Sequence, residues 1–193
     1  MTKSKNALIA ISLLISIIPT FVSAATISSE ICVSMTVLSQ SSPNVISGGG
    51  NLCANVSGNA VATTPGDSVV FSDFFEDIGI LGGGTNTTGN SIDYTVQFDW
   101  TYSILTEILN SNETASGLVR ADIFGLEFTS GGGSGSQIIS STLENNMAVD
   151  YFITVYAEAN ATSIAPVPLP ASIWLFGTGI LGLFGAIKRK ANK

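Results

Sequence analysis

Apolar residues recur at every second position from Ile92 to Ile104: Ile92, Tyr94, Val96, Phe98, Trp100, Tyr102 and Ile104. Asp93, Thr95, Gln97, Asp99, Thr101 and Ser103 fill the gaps. A period of two is the pattern of a strand with one face on a core and the other in water. Met147, Val149, Tyr151, Ile153, Val155 and Ala157 repeat it, and Ile31, Val33, Met35 and Val37 are a third case. Weaker strands are predicted near Ser68–Phe75, Gly117–Phe128 and Gln137–Leu143. No comparable stretch keeps a helical period. The Gly48–Asn51, Pro65–Asp67, Gly82–Gly84 and Gly131–Gly133 segments read as turn-like connections between these runs. Short strands with glycine-rich turns predict an all-β domain, an antiparallel β-sandwich or jelly roll, over residues 25–165.

Both ends of the chain depart from this pattern. Lys3 and Lys5 precede an apolar run, Ala7 to Ile18, which Pro19 ends. Val22-Ser23-Ala24 then offers small residues where a signal peptidase reads. Residues 1–24 therefore have the form of a secretory signal peptide, with cleavage expected between Ala24 and Ala25. At the other end, Ala171 to Ile187 holds no charged residue. As a helix it reaches about 25 Å, the short end of a transmembrane span. Lys188, Arg189 and Lys190 follow directly, and such a basic cluster stops transfer and holds its side in the cytoplasm. Before the span, Pro166, Pro168 and Pro170 keep the chain extended and bar an earlier helix start.

These C-terminal features together resemble the PEP-CTERM class of bacterial sorting signals. Val167-Pro168-Leu169-Pro170-Ala171 matches its VPLPA variant, with Leu169 where the commoner motif has Glu. The resemblance covers residues 166–193: the motif at 167–171, a transmembrane segment at 171–187 and a basic tail at 188–193. It implies recognition by an exosortase, a membrane-embedded cysteine transpeptidase-like enzyme, during export. The partners it implies are signal peptidase, exosortase and, before processing, the membrane. The expected course is a single-pass inner-membrane precursor, then a protein at the cell surface or outside the cell. The family's exported regions are diverse, so no function passes to residues 25–165.

Composition sharpens this picture. The chain has 193 residues, of which 11% are charged, and a mean hydropathy of +0.44; soluble domains average about 25% charged residues. Six of the seven basic residues lie at the two ends, and Arg120 is the exception. All fourteen acidic residues fall between Glu30 and Glu158, which gives residues 25–165 a net charge of −13. A polyanion would be repelled, which argues against nucleic acid as a partner. The chain has no His, the commonest general acid/base and metal ligand.

The only two cysteines, Cys32 and Cys53, are expected to pair in an oxidising compartment. Asn55, Asn86, Asn112 and Asn160 begin Asn-X-Ser/Thr sequons, read here as solvated surface. Asp73, Glu76 and Asp77 are the tightest acidic cluster and the weak candidates for Ca²⁺; a solvated acidic loop is the plainer reading. Asp93 and Asp99 on one strand face would stand about 20 Å apart, too far for a glycosidase pair. No catalytic residue, cofactor or resident metal is expected. The first reading is an exported surface or biofilm-matrix structural protein, not an enzyme, with exopolysaccharide as a possible partner. The alternatives are a carbohydrate-binding or Ca²⁺-assisted adhesion module and, disfavoured by the missing His, a secreted hydrolase.

Overall fold

The computed structural model describes residues 23–167 and Phe176. Eight strands form: β1 (Ser23–Gln40), β2 (Asn51–Ala62), β3 (Ser68–Thr85), β4 (Ile92–Ile108), β5 (Thr114–Ala121), β6 (Leu126–Phe128), β7 (Gly131–Leu143) and β8 (Ala148–Ile164). They make two four-stranded sheets, β2-β1-β4-β7 and β3-β8-β5-β6, and every strand pair is antiparallel. Five of the seven connections change sheet; only β1–β2 and β5–β6 stay within one. This is the sandwich expected from the sequence, with the crossing connections of a jelly roll.

The alternation of β4 is realised as read. Ile92, Tyr94, Val96, Phe98 and Ile104 are buried, with Trp100 and Tyr102 packed at the margin of the core. In β8 the inward row runs Ile153, Val155, Ala157, Ala159 and Ala161. Met147, read as the first inward residue of that strand, stands before it and is exposed. It belongs to the turn at Glu144, whose carbonyl accepts its N–H.

Two of the glycine runs correct the sequence reading, whereas Gly48–Gly50 and Pro65–Asp67 do lie in connections between strands. Gly82–Gly84 lie inside β3 and Gly131–Gly133 inside β7. At Gly84 the absent side chain matters: a Cβ would meet the Val45 carbonyl oxygen. The segment from Val45 to Gly50 lies so close to β3 that Ser47 and Gly83 exchange two backbone hydrogen bonds of 2.9 Å, and Gly50 donates to Leu81 at 3.1 Å. This strap links the two sheets at one end of the sandwich.

Strand β2 was not foreseen, because its inward row is Ala54, Val56, Ala60 and Ala62. Alanine carries little hydrophobic signal, and Gly58 interrupts the row where the Phe71 ring of β3 fills the space a Cβ would take. The weak strand at Gly117–Phe128 is broken in two. A 3-10 turn at Ile123–Gly125, with Phe124 at φ 59°, separates β5 from β6.

Cys32 and Cys53 are directly opposite each other on β1 and β2, bonded, with Cα atoms 4.1 Å apart. Their neighbours Ile31, Val33 and Ala54 are buried, so the disulfide lies on the outer face. It staples the edge strand β2 to the sheet rather than building the core.

Candidate functional site

The strand register sets the two ends of the sandwich apart. Ala24 pairs with Val61 at the close of β2, and Ala25 with Ile108 at the close of β4. Ser68, opening β3, pairs with Ile164, closing β8. The chain therefore enters β1 and leaves β8 at the same pole. The opposite pole carries the loops between Gln40 and Asn51, Thr85 and Ile92, and Leu143 and Ala148.

The domain holds the chain up to the first residue of the sorting segment. Ala165 is fully buried; its N–H donates to Asp67 and its carbonyl accepts from Gly66, both at 3.0 Å. Val167, two residues on, is 72% exposed. There is no slack linker between folded domain and motif. Pro168–Ala171, the apolar segment 171–187 apart from the exposed Phe176, and the tail Lys188, Arg189 and Lys190 lie outside the described residues, as do residues 1–22. Among the described residues no helix is long and apolar enough to cross a membrane. Ala24 and Ala25, the expected cleavage pair, lie within β1.

One buried polar side chain fastens each pole. At the pole of the termini it is Glu113, only 3% exposed. Its Oε1 accepts from the Ala24 N–H at 2.7 Å and from Asn110 Nδ2 at 3.1 Å; its Oε2 accepts from the backbone N–H of Asn110 at 2.9 Å and from that of Leu109. At the far pole it is Asn86, fully buried. Asn86 Nδ2 donates to the carbonyls of Asn90 at 2.7 Å and Leu143 at 2.8 Å, and its Oδ1 accepts from the N–H and hydroxyl of Thr88. Of the four sequons read as solvated surface, Asn55 and Asn112 are exposed. Asn86 is a correction: its amide lies inside the loop and every polar atom of it is engaged.

The acidic cluster is not a loop. Asp73, Glu76 and Asp77 lie on β3, an edge strand. Alternation puts Asp73 and Asp77, opposite Ala159 and Val155, on one face, and Glu76, opposite Tyr156, on the other. The three carboxylates therefore do not converge, and among the described residues no group of three or more His, Cys, Asp or Glu could hold a metal ion. Inward-pointing charge on an edge strand does oppose pairing with another chain. Asp93 accepts from the Thr142 hydroxyl and Asp99 from Gln97 Nε2, both at 2.6 Å; each is engaged with a neighbour on the outer face.

The outer faces of the sheets differ. On β4 the outward row is the polar one read from the sequence. On the other sheet, Phe74 and Ile78 of β3 and Phe152 of β8 are 63%, 52% and 61% exposed. Phe74 stacks on Tyr156 at 5.9 Å, and the Arg120 guanidinium sits over the same Tyr156 ring at 4.6 Å. The Tyr156 hydroxyl donates to Glu158 at 2.9 Å. Partial burial and the Glu158 carboxylate push its phenol above the ordinary value. Sequence reasoning passed over this patch because its aromatics come from two strands whose pairing the sequence does not give.

The PEP-CTERM protein-sorting motif matches residues 166–190. The chain therefore carries the signal of an exported protein that an exosortase sorts, transiently anchored in the membrane. No curated protein matches. Among solved structures, the chain matches Ail, the attachment invasion locus protein of Yersinia pestis, crystallised with the heparin analogue sucrose octasulfate. The match has 12% identity, 74% of this chain and 97% of that one covered, and a TM-score of 0.19.

Proposed function

We propose that the protein is a structural component of the cell surface or biofilm matrix, not an enzyme, delivered through a VPLPA-type signal at Val167–Ala171. The observation that carries the reading is the common pole: the expected leader and the sorting segment join the domain at one end. Both membrane-directed segments can then reach one bilayer while the rest of the sandwich stands away from it. Signal peptidase releases the N-terminus at Ala24–Ala25. The oxidising compartment supports the Cys32–Cys53 bond. An extended peptide fixed by Pro166, Pro168 and Pro170 has little conformational entropy left to lose, which suits an enzyme cleft. Lys188, Arg189 and Lys190 hold the precursor until that cut.

The test is the mass of the surface protein together with a double replacement. The mature chain is expected to begin at or next to Ala25 and to lack Lys188–Lys193. Pro168→Ala with Pro170→Ala is expected to leave unprocessed protein in the inner membrane. Normal processing of that double variant would reduce the motif to a spacer.

A second reading, a carbohydrate-binding module, is favoured by the exposed Phe74 and Phe152 and the half-buried Tyr156 on one sheet face. Aromatic faces pack on the apolar faces of sugar rings. Here the partner is a neutral exopolysaccharide, since a region of net charge −13 repels an acidic one. Co-sedimentation with purified exopolysaccharide, lost on Phe74→Ala with Phe152→Ala, would support it. Equal co-sedimentation of both proteins would reject it.

A further inference from the structure

The two sheets treat their edges differently. A sheet edge exposes unpaired N–H and C=O groups, and proteins blunt it with charge, proline, bulges or short strands. The second sheet does so: β3 carries Asp73, Glu76 and Asp77, and β6 is three residues long. The first sheet ends in β2 and β7, twelve and thirteen residues long, and neither holds an Asp, Glu, Lys, Arg or Pro. A domain of net charge −13 thus keeps these two edges neutral. Both ladders run without a register shift, β2 on β1 and β7 on β4. Among the described residues no other strand pairs with either.

Register shows which residues face the open side. Cα atoms in an antiparallel pair stand about 4.5 Å apart where the two residues exchange no hydrogen bond, and about 5.5 Å apart where they do. Cys32 and Cys53 are 4.1 Å apart, so their backbone groups turn away from each other. Met35, three positions on, donates to Gly50 at 3.4 Å, as the alternation requires. Cys53, Asn55, Ser57, Asn59 and Val61 therefore turn N–H and C=O to the open side of β2. Carrying the alternation across β1 and β4 gives Ser134, Ser136, Ile138, Ser140 and Thr142 the same role in β7. The side chains of both rows point to the outer face, since Ala54, Val56, Ala60, Ile139 and Leu143 between them face the core. The two edges can thus bond to each other with their faces matched.

Direction completes the match. The order β2-β1-β4-β7 is antiparallel throughout, so β2 and β7 run in opposite directions. A second copy shifted sideways lays its β2 antiparallel on β7. Both chain ends leave at one pole, so copies delivered to one bilayer share an orientation. Antiparallel pairing of β7 with β7, or of β2 with β2, would invert one of them. We propose that β7 is a docking edge for β2 of a second copy, a head-to-tail contact that continues the sheet from molecule to molecule. Each addition leaves a free β2 at one end and a free β7 at the other, so the contact builds an open filament. The inference deepens the structural reading above and rests on it.

The test blocks each edge separately. Proline is tolerated on an edge strand where the N–H it removes faced solvent. Ser57→Pro removes such an N–H from β2, and Ile138→Pro one from β7. Asn59→Pro and Ser136→Pro, in the same two rows, replace them if either fails to fold. Surface protein is followed by sedimentation velocity at about 0.15 M salt, where exposed charges more than about 8 Å apart are largely screened. Wild type is expected to sediment as a series whose mean mass rises with concentration. Each proline variant alone is expected to remain a single chain. An equimolar mixture of the two is expected to give a species of twice that mass, because one keeps its β7 and the other its β2. Phe74→Ala with Phe152→Ala is expected to assemble like wild type, since the aromatic face takes no part. The stacking is overturned by monomeric wild type, by assembly of either proline variant alone, by a mixture that stays monomeric, or by loss of assembly in the aromatic variant. Delivery is judged on the mass of the same sample. A chain that lacks its leader and tail and stays monomeric therefore overturns the stacking alone. A surface protein that keeps Met1 overturns delivery, and its sedimentation still decides the stacking.

Discussion

The two poles of the sandwich solve the same problem with different chemistry. Each is a place where strands end and backbone groups lose their ladder partners, and burying such groups unpaired is costly. At the far pole a neutral amide, Asn86, supplies the partners, and the strap at Val45–Gly50 adds backbone bonds between the sheets. Gln40 holds that strap by accepting from Val45 and Ile46 and donating to the Ile46 carbonyl. At the pole of the termini the partner is a carboxylate. Large side chains such as Met35, Ile46, Leu81 and Leu143 fill the far end, whereas Ala25, Ala60, Ala62, Ala161 and Ala165 line the other. The far pole is closed by shape and neutral hydrogen bonds. The pole from which both chain ends leave has a thinner core and uses charge.

Four substitutions test that contrast, from the largest effect down. Replacing Cys32 and Cys53 together by Ser, midway between the poles, is expected to cost about 3 kcal/mol through freedom regained by the unfolded chain. Urea denaturation would read it as a lower midpoint in both halves, and an unchanged midpoint would count against the staple. Gly84→Ala drives a methyl group into the Val45 carbonyl and is expected to cost about 2–3 kcal/mol. Hydrogen exchange should speed up first at Ser47 and Gly83, with the termini pole least affected. Faster exchange at Ala165 instead would mean that the poles are not separate.

Asn86→Ala strands the N–H of Thr88 and takes a donor from the Leu143 carbonyl, while the Asn90 carbonyl keeps the Thr88 hydroxyl, for an expected cost of about 2 kcal/mol. Thermal unfolding would record it, and an unaltered Tm would mean that water replaces the amide. The smallest effect is expected at the other pole. Gly66 sits at φ +86° with open space around it, the nearest neighbour of an added Cβ being Val167 at 3.5 Å. Gly66→Ala should therefore cost only the backbone strain, about 1 kcal/mol. Its effect should appear as faster exchange at Gly66 and Ala165, with Ser47 and Gly83 unmoved.

Legibility along the chain followed side-chain size. Strands β4, β8 and the middle of β1 were readable because large apolar residues alternate with polar ones there. Strand β2 was not, although Ala54, Val56, Gly58, Ala60 and Ala62 keep the same period. An alanine row gives almost no hydrophobic contrast, and its burial depends on Phe71 arriving from another sheet. Glycine misled in the opposite direction. Gly82–Gly84 looked like a loop when read alone, but in the fold they let a second segment lie directly on the strand. The candidate site divides in the same way. The cysteine pair and the Pro-rich motif followed from residue type and local order. Nothing in the sequence set Glu113 apart from the other acids, and Asn86 read as a solvated sequon.

By itself the sequence determined what local order can encode: which residues alternate, where charge is segregated, and the Pro-rich segment, apolar run and basic cluster of the sorting signal. Those properties belong to neighbouring residues, so no partner from elsewhere in the chain is needed to read them. Only the tertiary structure decided that the chain enters and leaves at one pole, that the disulfide staples an edge strand, and that Phe74, Tyr156 and Arg120 share a surface. It also decided that Glu113 reaches Ala24, 89 residues away. Each of these depends on strand order and register. Those are set by which faces bury best against one another across the whole molecule, and no local window of sequence contains that information.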